Sequence, residues 1–288
     1  MENKNIIVLG GDGQLGSAFR FADFGYTVNR DSVSIVNYND VFERLPEFKP
    51  DIIINCAAMT DVDYCEEHRE EAEAVNYHGV RNLVNLCKEN DIKLVHISTD
   101  YVFDNKHDMP ISETLLFNPI NWYGHTKAKA EEYIISNLSN YLIIRTSWLY
   151  GHSRVVNGIA EPARNMVNFF INSACDKAVV DQISRLTNVK TVVDITKKLL
   201  EMEETGIFNV ADGGSTTPFE VAEYISSNHF QVSNWVEPIL SRSLHRKAAR
   251  PKYSVLSTAK LVNHGIIVKS WMDNLKGYLN EYTAASRV

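Results

Sequence analysis

The chain has 288 residues, 44% hydrophobic and 23% charged, with 14 glycines and 8 prolines, a profile that excludes fibrous and disordered proteins and allows a large buried core. A formal net charge of −7 has the wrong sign for a surface that coats nucleic acid. At roughly 150 residues per domain, the length fits one large domain or a large and a small lobe sharing a cleft.

The N-terminal run MENKNIIVLGG turns apolar only briefly before its glycines, too short for a signal-peptide core or a membrane span. A cytoplasmic protein with no membrane partner is therefore expected. Cys56, Cys65, Cys87 and Cys175 show no C-x-x-C pattern and read as reduced thiols.

Through residue 150, β-branched runs alternate with helical patterns, which predicts βαβ units and a parallel sheet covered on both faces. The strand candidates are 5–9, 26–28, 51–55, 93–98 and 141–145, each nearly continuously apolar, as strands buried on both faces should be. Helices are expected at 14–22, 41–45, 66–90 and 125–136. The stripe Ala72, Val75, Val80, Leu83, Val84 and Cys87 within the third of these reads as core packing. Beyond Gly151 the pattern loosens, and a second lobe is expected over 151–288. It contains a helical 165–174, a strand-like 178–182, and helices at 191–203 and 217–227, the last opened by Thr217 as N-cap with Pro218 following. Residues 206–210 look like one more strand returning to the sheet of the 1–150 domain. No repeat or flexible linker separates the lobes, so they should interleave.

Directly after the first strand comes Gly10-Gly11-Asp12-Gly13-Gln14-Leu15-Gly16. A glycine turn between strand and helix lets backbone N–H groups approach a pyrophosphate, with the helix N-terminus adding partial positive charge. In this position it points to a dinucleotide and to a Rossmann-type doubly wound α/β fold; the alternative is a tight turn with no ligand. The second strand ends at Asn29-Arg30-Asp31. Arg30 leans toward the 2′-phosphate of NADPH and Asp31 toward NADH, so both cofactors stay open.

Tyr123 and Lys127 form Y-x-x-x-K near the start of a predicted helix, on one helical face. A neighbouring ammonium favours the phenolate, so Lys127 is expected to lower the Tyr123 pKa toward a working acid or base. Thr99, 24 residues upstream, lies where the strand 93–98 ends, the end at which doubly wound sheets bind ligands. It could hydrogen-bond a substrate carbonyl beside Tyr123.

Together these features resemble the extended short-chain dehydrogenase/reductase superfamily. The runs GGDGQLG, PDIIINCAAMTDVDYCEE, VHISTDYVF, NPINWYGHTKAKAEE, IIRTSWLYG, VVDQ and ARPKYSVL narrow the resemblance to the RmlD-type dTDP-4-dehydrorhamnose reductase family, over most of the chain. The resemblance implies a smaller C-terminal substrate-binding lobe and a 4-keto-6-deoxy nucleotide-sugar substrate, dTDP-linked by preference, reduced with NADPH or NADH in polysaccharide biosynthesis. It implies that Thr99, Tyr123 and Lys127 are catalytic. Gly10, Gly13, Gln14 and Leu15 would hold the pyrophosphate, Cys56, Ala57, Ala58 and Ile97 would line the cofactor, and Arg30, Ser34 and Ile35 would lie at its adenosine end. Thr99 and Asp100 would touch the sugar, Trp148 would stack on the nucleotide base, and Arg250 would meet the substrate pyrophosphate. The rest of the basic run, Arg242, His245, Arg246, Lys247 and Lys252, reads as a solvated face.

The chain departs from the family pattern in three places. An acidic residue is missing at Ser34-Ile35-Val36-Asn37. The family's DQ-x-G-x-PT becomes Asp181-Gln182-Ile183-Ser184-Arg185-Leu186-Thr187, and the 152–168 segment is longer. The last two are either loop drift or a pocket reshaped for another 4-keto sugar or base. Histidines and cysteines show no metal-ligand spacing, so no metal is expected. Nothing resembles G-x-S-x-G, so hydrolase chemistry is unsupported. A dehydratase of the superfamily would carry Thr-Asp-Glu; Thr99-Asp100-Tyr101 favours simple reduction. The remaining alternative is a non-catalytic NADP-binding subunit similar to the regulatory subunit of methionine adenosyltransferase. A homodimer is compatible with the resemblance, which does not decide the oligomeric state.

Overall fold

The computed structural model describes residues 4–285 apart from 105, 107, 152, 153, 157, 158, 173–176 and 229–235; Cys175 lies outside the described residues. Six parallel strands form the central sheet: β1 (Ile6–Leu9), β2 (Tyr26–Val28), β3 (Ile52–Asn55), β4 (Lys93–Thr99), β5 (Tyr141–Thr146) and β6 (Gly206–Asn209). Their order across the sheet is β2-β1-β3-β4-β5-β6, all in parallel register. This is the Rossmann-type doubly wound sheet that the alternating pattern implies.

Successive residues of each strand enter opposite cores, as the two-residue period of a strand requires. Ile6, Val8, Ile52, Ile54, Leu142 and Ile144 pack on one face against α1 (Gln14–Phe21) through Leu15 and Phe19. Ile7, Leu9, Ile53 and Ile143 pack on the other. Each buried isoleucine contributes on the order of 2 kcal/mol, so both faces are strongly specified.

The expected continuous helix at 66–90 is broken. The chain forms α2 (Val62–Glu67), leaves helical geometry at His68 (φ −122°, ψ 60°), makes a helical turn at Arg69–Glu73 and a π turn at Ala74–His78, and only then runs as α3 (Gly79–Asn90). The π turn carries the fully buried Asn76, whose amide bonds both the N–H and the C=O of Met59 and the hydroxyl of Thr126. The apolar stripe survives on either side, which is why periodicity alone reads one helix. The expected helix at 41–45 is likewise a short π turn, Asp40–Arg44, followed by a 3-10 turn, Leu45–Phe48.

The next helix, α4 (Trp122–Asn137), starts three residues before the predicted position because Asn121 caps it, accepting from Gly124 N at 2.8 Å. Tyr123 thereby falls in the first turn. Beyond β5 come α5 (Met166–Asn172), α6 (Val189–Glu201), α7 (Pro218–Asn228) and α8 (Trp271–Ala285). Thr217 caps α7 reciprocally with Glu220. Helix α6 returns to the first sheet, where Val192 and Leu199 join the core beside β1. Tyr150, Val167, Phe170, Leu186, Val221, Ile225, Trp271 and Leu275 make a separate core. Cys56, Cys65 and Cys87 are free thiols. Among the described residues, no helix is long and apolar enough to cross a membrane.

Candidate active site

Strand β1 has β2 on one side and β3 on the other, so the crossovers diverge and leave a crevice at the strands' carboxyl ends. A cleft of about 520 Å³ opens there. The glycine loop forms its floor. Gly10 has φ +76°, and a Cβ there would sit 2.7 Å from Ala57 N; a Cβ on Gly16 would sit 2.2 Å from Gly10 O. Only glycine lets the loop press on both the end of β3 and the start of α1. Gly13, Gln14 and Leu15 line the cleft, and Gln14 Nε2 is buried with no protein partner. An unpartnered donor beside a helix N-terminus fits the phosphates of a dinucleotide.

Cys56, Ala58, Ile97, Thr99, Asp100, Tyr123, Lys127, Trp148 and Arg250 line the same cleft. Ala57 stands behind it, its N–H bonded to Asn55 Oδ1 at 3.1 Å. Arg30, Ser34 and Ile35 are not in the cleft lining. Arg30 is exposed at the tip of β2, and Ser34 N donates to Asp40 Oδ2 at 2.8 Å. The Ile35 side chain is buried in the core, close enough to Gly79 that a Cβ there would lie 2.6 Å away.

Thr99 and Tyr123 line the cleft together, and the Thr99 hydroxyl donates to Asp100 Oδ1 at 3.1 Å and accepts from Tyr101 N at 3.2 Å. Burial holds the phenol well above its ordinary range. Lys127 does not lower it as the Y-x-x-x-K spacing suggests, because the lysine Nζ turns inward to His96 Nε2 (2.9 Å) and Ile97 O (2.7 Å). Burial brings Lys127 itself down to about 8, opposed by Glu131 and Cys56. At neutral pH Tyr123 therefore holds its proton, which suits a proton donor to a developing alkoxide.

Asp100, expected against a sugar, spends its carboxylate on the hydroxyls of Thr99, Ser184 and Ser254. It ties the end of β4 to the segments that carry Ser184 and Ser254. Its burial raises it to about 6, against those three hydrogen bonds. Trp148 sits at φ +36°, a strained backbone for so large a residue, and lines the cleft with Tyr101. Tyr101 in turn meets the Tyr123 ring edge-on, with centroids 6.0 Å apart.

Arg250 reaches the cleft already gripped by Asp63, Nη1 to Oδ1 at 2.9 Å and Nη2 to Oδ2 at 3.0 Å, and its guanidinium holds the Asp63 carboxyl below the usual range. Arg246, read as solvated face, instead lines the cleft and donates to Gln182 Oε1 at 3.0 Å. Its four-residue spacing from Arg250 was the available signal. The substituted Arg185 donates to Asp212 O at 2.9 Å. Sequence reasoning also misses a buried pair behind the cleft: Glu131 accepts from Arg145 Nη2 at 2.7 Å, from Arg145 Nε, and from Ser98. Among the described residues no group of three His, Cys, Asp or Glu could hold a metal ion.

The RmlD substrate-binding-domain family model matches residues 4–284. A spore coat polysaccharide biosynthesis protein of Bacillus subtilis, SpsK, is 30% identical over 97% of this chain and 98% of its own. A dTDP-4-keto-6-deoxy-D-glucose reductase of Streptomyces niveus is 29% identical over 80% of this chain and 78% of its own. Among solved structures, a dTDP-4-dehydrorhamnose reductase from Bacillus anthracis in complex with NADP is 31% identical, with a TM-score of 0.87 over 96% of this chain and 99% of that one.

Proposed function

The chain belongs to the RmlD substrate-binding-domain family, and from that membership we propose that it reduces the C4 ketone of a dTDP-linked 4-keto-6-deoxy-hexose, with dTDP-L-rhamnose as the product. It is an NAD(P)H-dependent oxidoreductase, and the reaction serves nucleotide-sugar and polysaccharide biosynthesis. The observation that carries the reading is the convergence of Thr99, Tyr123 and Lys127 on a cleft floored by the glycine loop. A reduced nicotinamide, when bound, supplies the hydride.

The chain's own residues do the rest. Gly13, Gln14 and Leu15 would hold the pyrophosphate of the cofactor, with Cys56, Ala58 and Ile97 as its wall. Thr99 turns its hydroxyl from Asp100 to the ketone oxygen, and Tyr123 delivers its proton as that oxygen gains charge. A phenol kept neutral by burial has its proton ready at that moment. Lys127 stands one helical turn away to replace it. Arg246 and Arg250 attract the substrate pyrophosphate within a protein whose net charge is negative. The exposed Arg30 at the tip of β2, free of ion pairs among the described residues, supports NADPH over NADH.

A second reading keeps the reaction and changes the sugar. The Streptomyces niveus relative acts by its name on another 4-keto sugar, and Gln182 places the altered 181–187 segment on the cleft wall. Cofactor oxidation assayed with several dTDP- and UDP-linked 4-keto sugars, followed by product stereochemistry, tests both. NADPH binding with no oxidation on any of them would refute reductase activity and favour the regulatory-subunit alternative.

A further inference from the structure

Behind the cleft lies a buried polar chain that the mechanism above leaves unexplained. Asn55 ends β3, His96 is central in β4 and Lys127 comes from α4; they are 1%, 0% and 2% exposed. His96 Nδ1 is 3.2 Å from Asn55 Nδ2, and His96 Nε2 is 2.9 Å from Lys127 Nζ. The Asn55 amide is oriented by its other end, since Oδ1 accepts from Ala57 N–H at 3.1 Å. Flipping it would set two N–H donors face to face.

The donor and acceptor inventory then constrains the imidazole. Asn55 offers Nδ1 an N–H, so Nδ1 must accept. Burial and the neighbouring Lys127 hold His96 well below its ordinary pKa, so it is neutral and carries one proton, which belongs on Nε2. That N–H points at Lys127 Nζ. An ammonium has only donors; a neutral amine has a lone pair to receive it. The chain Ala57 N–H to Asn55, Asn55 to His96, His96 to Lys127, and Lys127 to Ile97 O is satisfied throughout only when Lys127 is neutral.

We propose that Asn55 fixes His96 as the Nε2–H tautomer, and that His96 is a positioning residue whose N–H favours the neutral amine of Lys127 and so readies this lysine to surrender a proton to Tyr123. The inference rests on the reductase reading for its purpose, and the protons balance. Tyr123 gives its proton to the C4 alkoxide, Lys127 Nζ gives one to the phenolate by way of water in the cleft that both residues line, the amine left behind accepts from His96, and solvent reprotonates it between turnovers. The other groups facing Lys127 do not supply that role. Glu131, on its own helix, is held by Arg145 from β5 and by Ser98. Burial keeps the Cys56 thiol protonated, and Tyr123 is the group to be served.

The first test is the tautomer, read by nitrogen-15 NMR of histidine-labelled full-length protein with NADP bound, with His96 assigned by its loss in His96→Gln. Nε2 protonated and Nδ1 bare is expected; a proton on Nδ1 overturns the proposal without recourse to any variant's folding. The second is the pH profile of kcat, whose alkaline limb follows loss of the Lys127 proton. His96→Leu removes the N–H that favours the amine, so the limb should move up by about one pH unit, with a lower plateau below it and KM for the sugar unchanged. A limb that stays or moves down would show His96 accepting from an ammonium and overturn the proposal. The tautomer is read without turnover: a protein with Nε2–H that oxidises no cofactor counts against the proposed reaction while supporting the hydrogen-bond chain.

Discussion

Gly124 gives a direct test of how tightly the catalytic helix must approach the strand ends. A Cβ built there would lie 2.0 Å from the carbonyl oxygen of Tyr101 and 2.9 Å from its carbon. Those are backbone atoms, so no rotamer change relieves the clash, and in Gly124→Ala the two segments must part by about 1.5 Å to reach ordinary contact. One segment carries Tyr123 and the other follows Thr99, so the separation moves the proposed acid away from Thr99. A misplacement of even about 1 Å costs about 100-fold in rate, or about 2.7 kcal/mol. The gain in helix propensity, about 1 kcal/mol, partly offsets overpacking of about 1–3 kcal/mol, so the protein should still fold. The assay is kcat from absorbance of the reduced nicotinamide, beside NADPH affinity from fluorescence titration. Gly124→Ala should lose kcat and keep cofactor affinity. Gly16→Ala, whose Cβ would meet Gly10 O at 2.2 Å, should lose cofactor affinity first. A Gly124→Ala enzyme with kcat within about threefold of the parent would refute the argument that this close approach sets the reactive geometry.

Tyr123→Phe should lower kcat by about 10²–10⁴-fold with NADPH affinity within twofold, measured by the same titration; retained turnover would remove Tyr123 as the acid. Asp100 titrates at about 6 when folded, above its unfolded value of about 3.9. Its stability contribution is therefore complete below pH 4 and lost as pH rises through 6, to the extent of about 3 kcal/mol at pH 7. Urea denaturation at pH 4 and 7 should show the parent gaining by that order over Asp100→Asn as pH falls, and a constant difference would contradict it. Arg145→Met strands the buried Glu131 and should cost about 3–5 kcal/mol, seen as a lower denaturation midpoint. Adding Glu131→Leu should recover much of the loss, and no recovery would mean that the pair is not energetically coupled.

The sheet is legible in the sequence because its strands are buried on both faces: runs such as Ile52-Ile53-Ile54 have no solvent side, and consecutive residues fill different cores. The glycine loop, Thr99, Tyr123 and Lys127 are legible because their chemistry depends on local spacing at strand and helix ends. His96 is not, since a single histidine within an apolar strand reads as a satisfied core residue until Asn55 and Lys127 arrive from 41 and 31 positions away. The breaks between Glu67 and Gly79 escape periodicity because a π turn inserts a residue without erasing the apolar stripe on either side. The upward shift of Tyr123 is hidden from the sequence for a related reason. Spacing places Lys127 on the same face of the helix, but it cannot reveal that the lysine Nζ is bonded deeper in.

The return of the chain to the first sheet bears on how the protein can be cut. A fragment ending near residue 150 would carry the glycine loop and every residue assigned to proton transfer, and would still be unfit to stand alone. Without β6, the outer edge of β5 from Leu142 to Arg145 loses its ladder partner. Without α6, the face formed by Val8, Ile54 and Ile144 loses part of its apolar cover. A bare edge beside an uncovered apolar face is a template for aggregation. Any excised cofactor-binding module therefore has to keep residues 189–209, grafted back onto that edge.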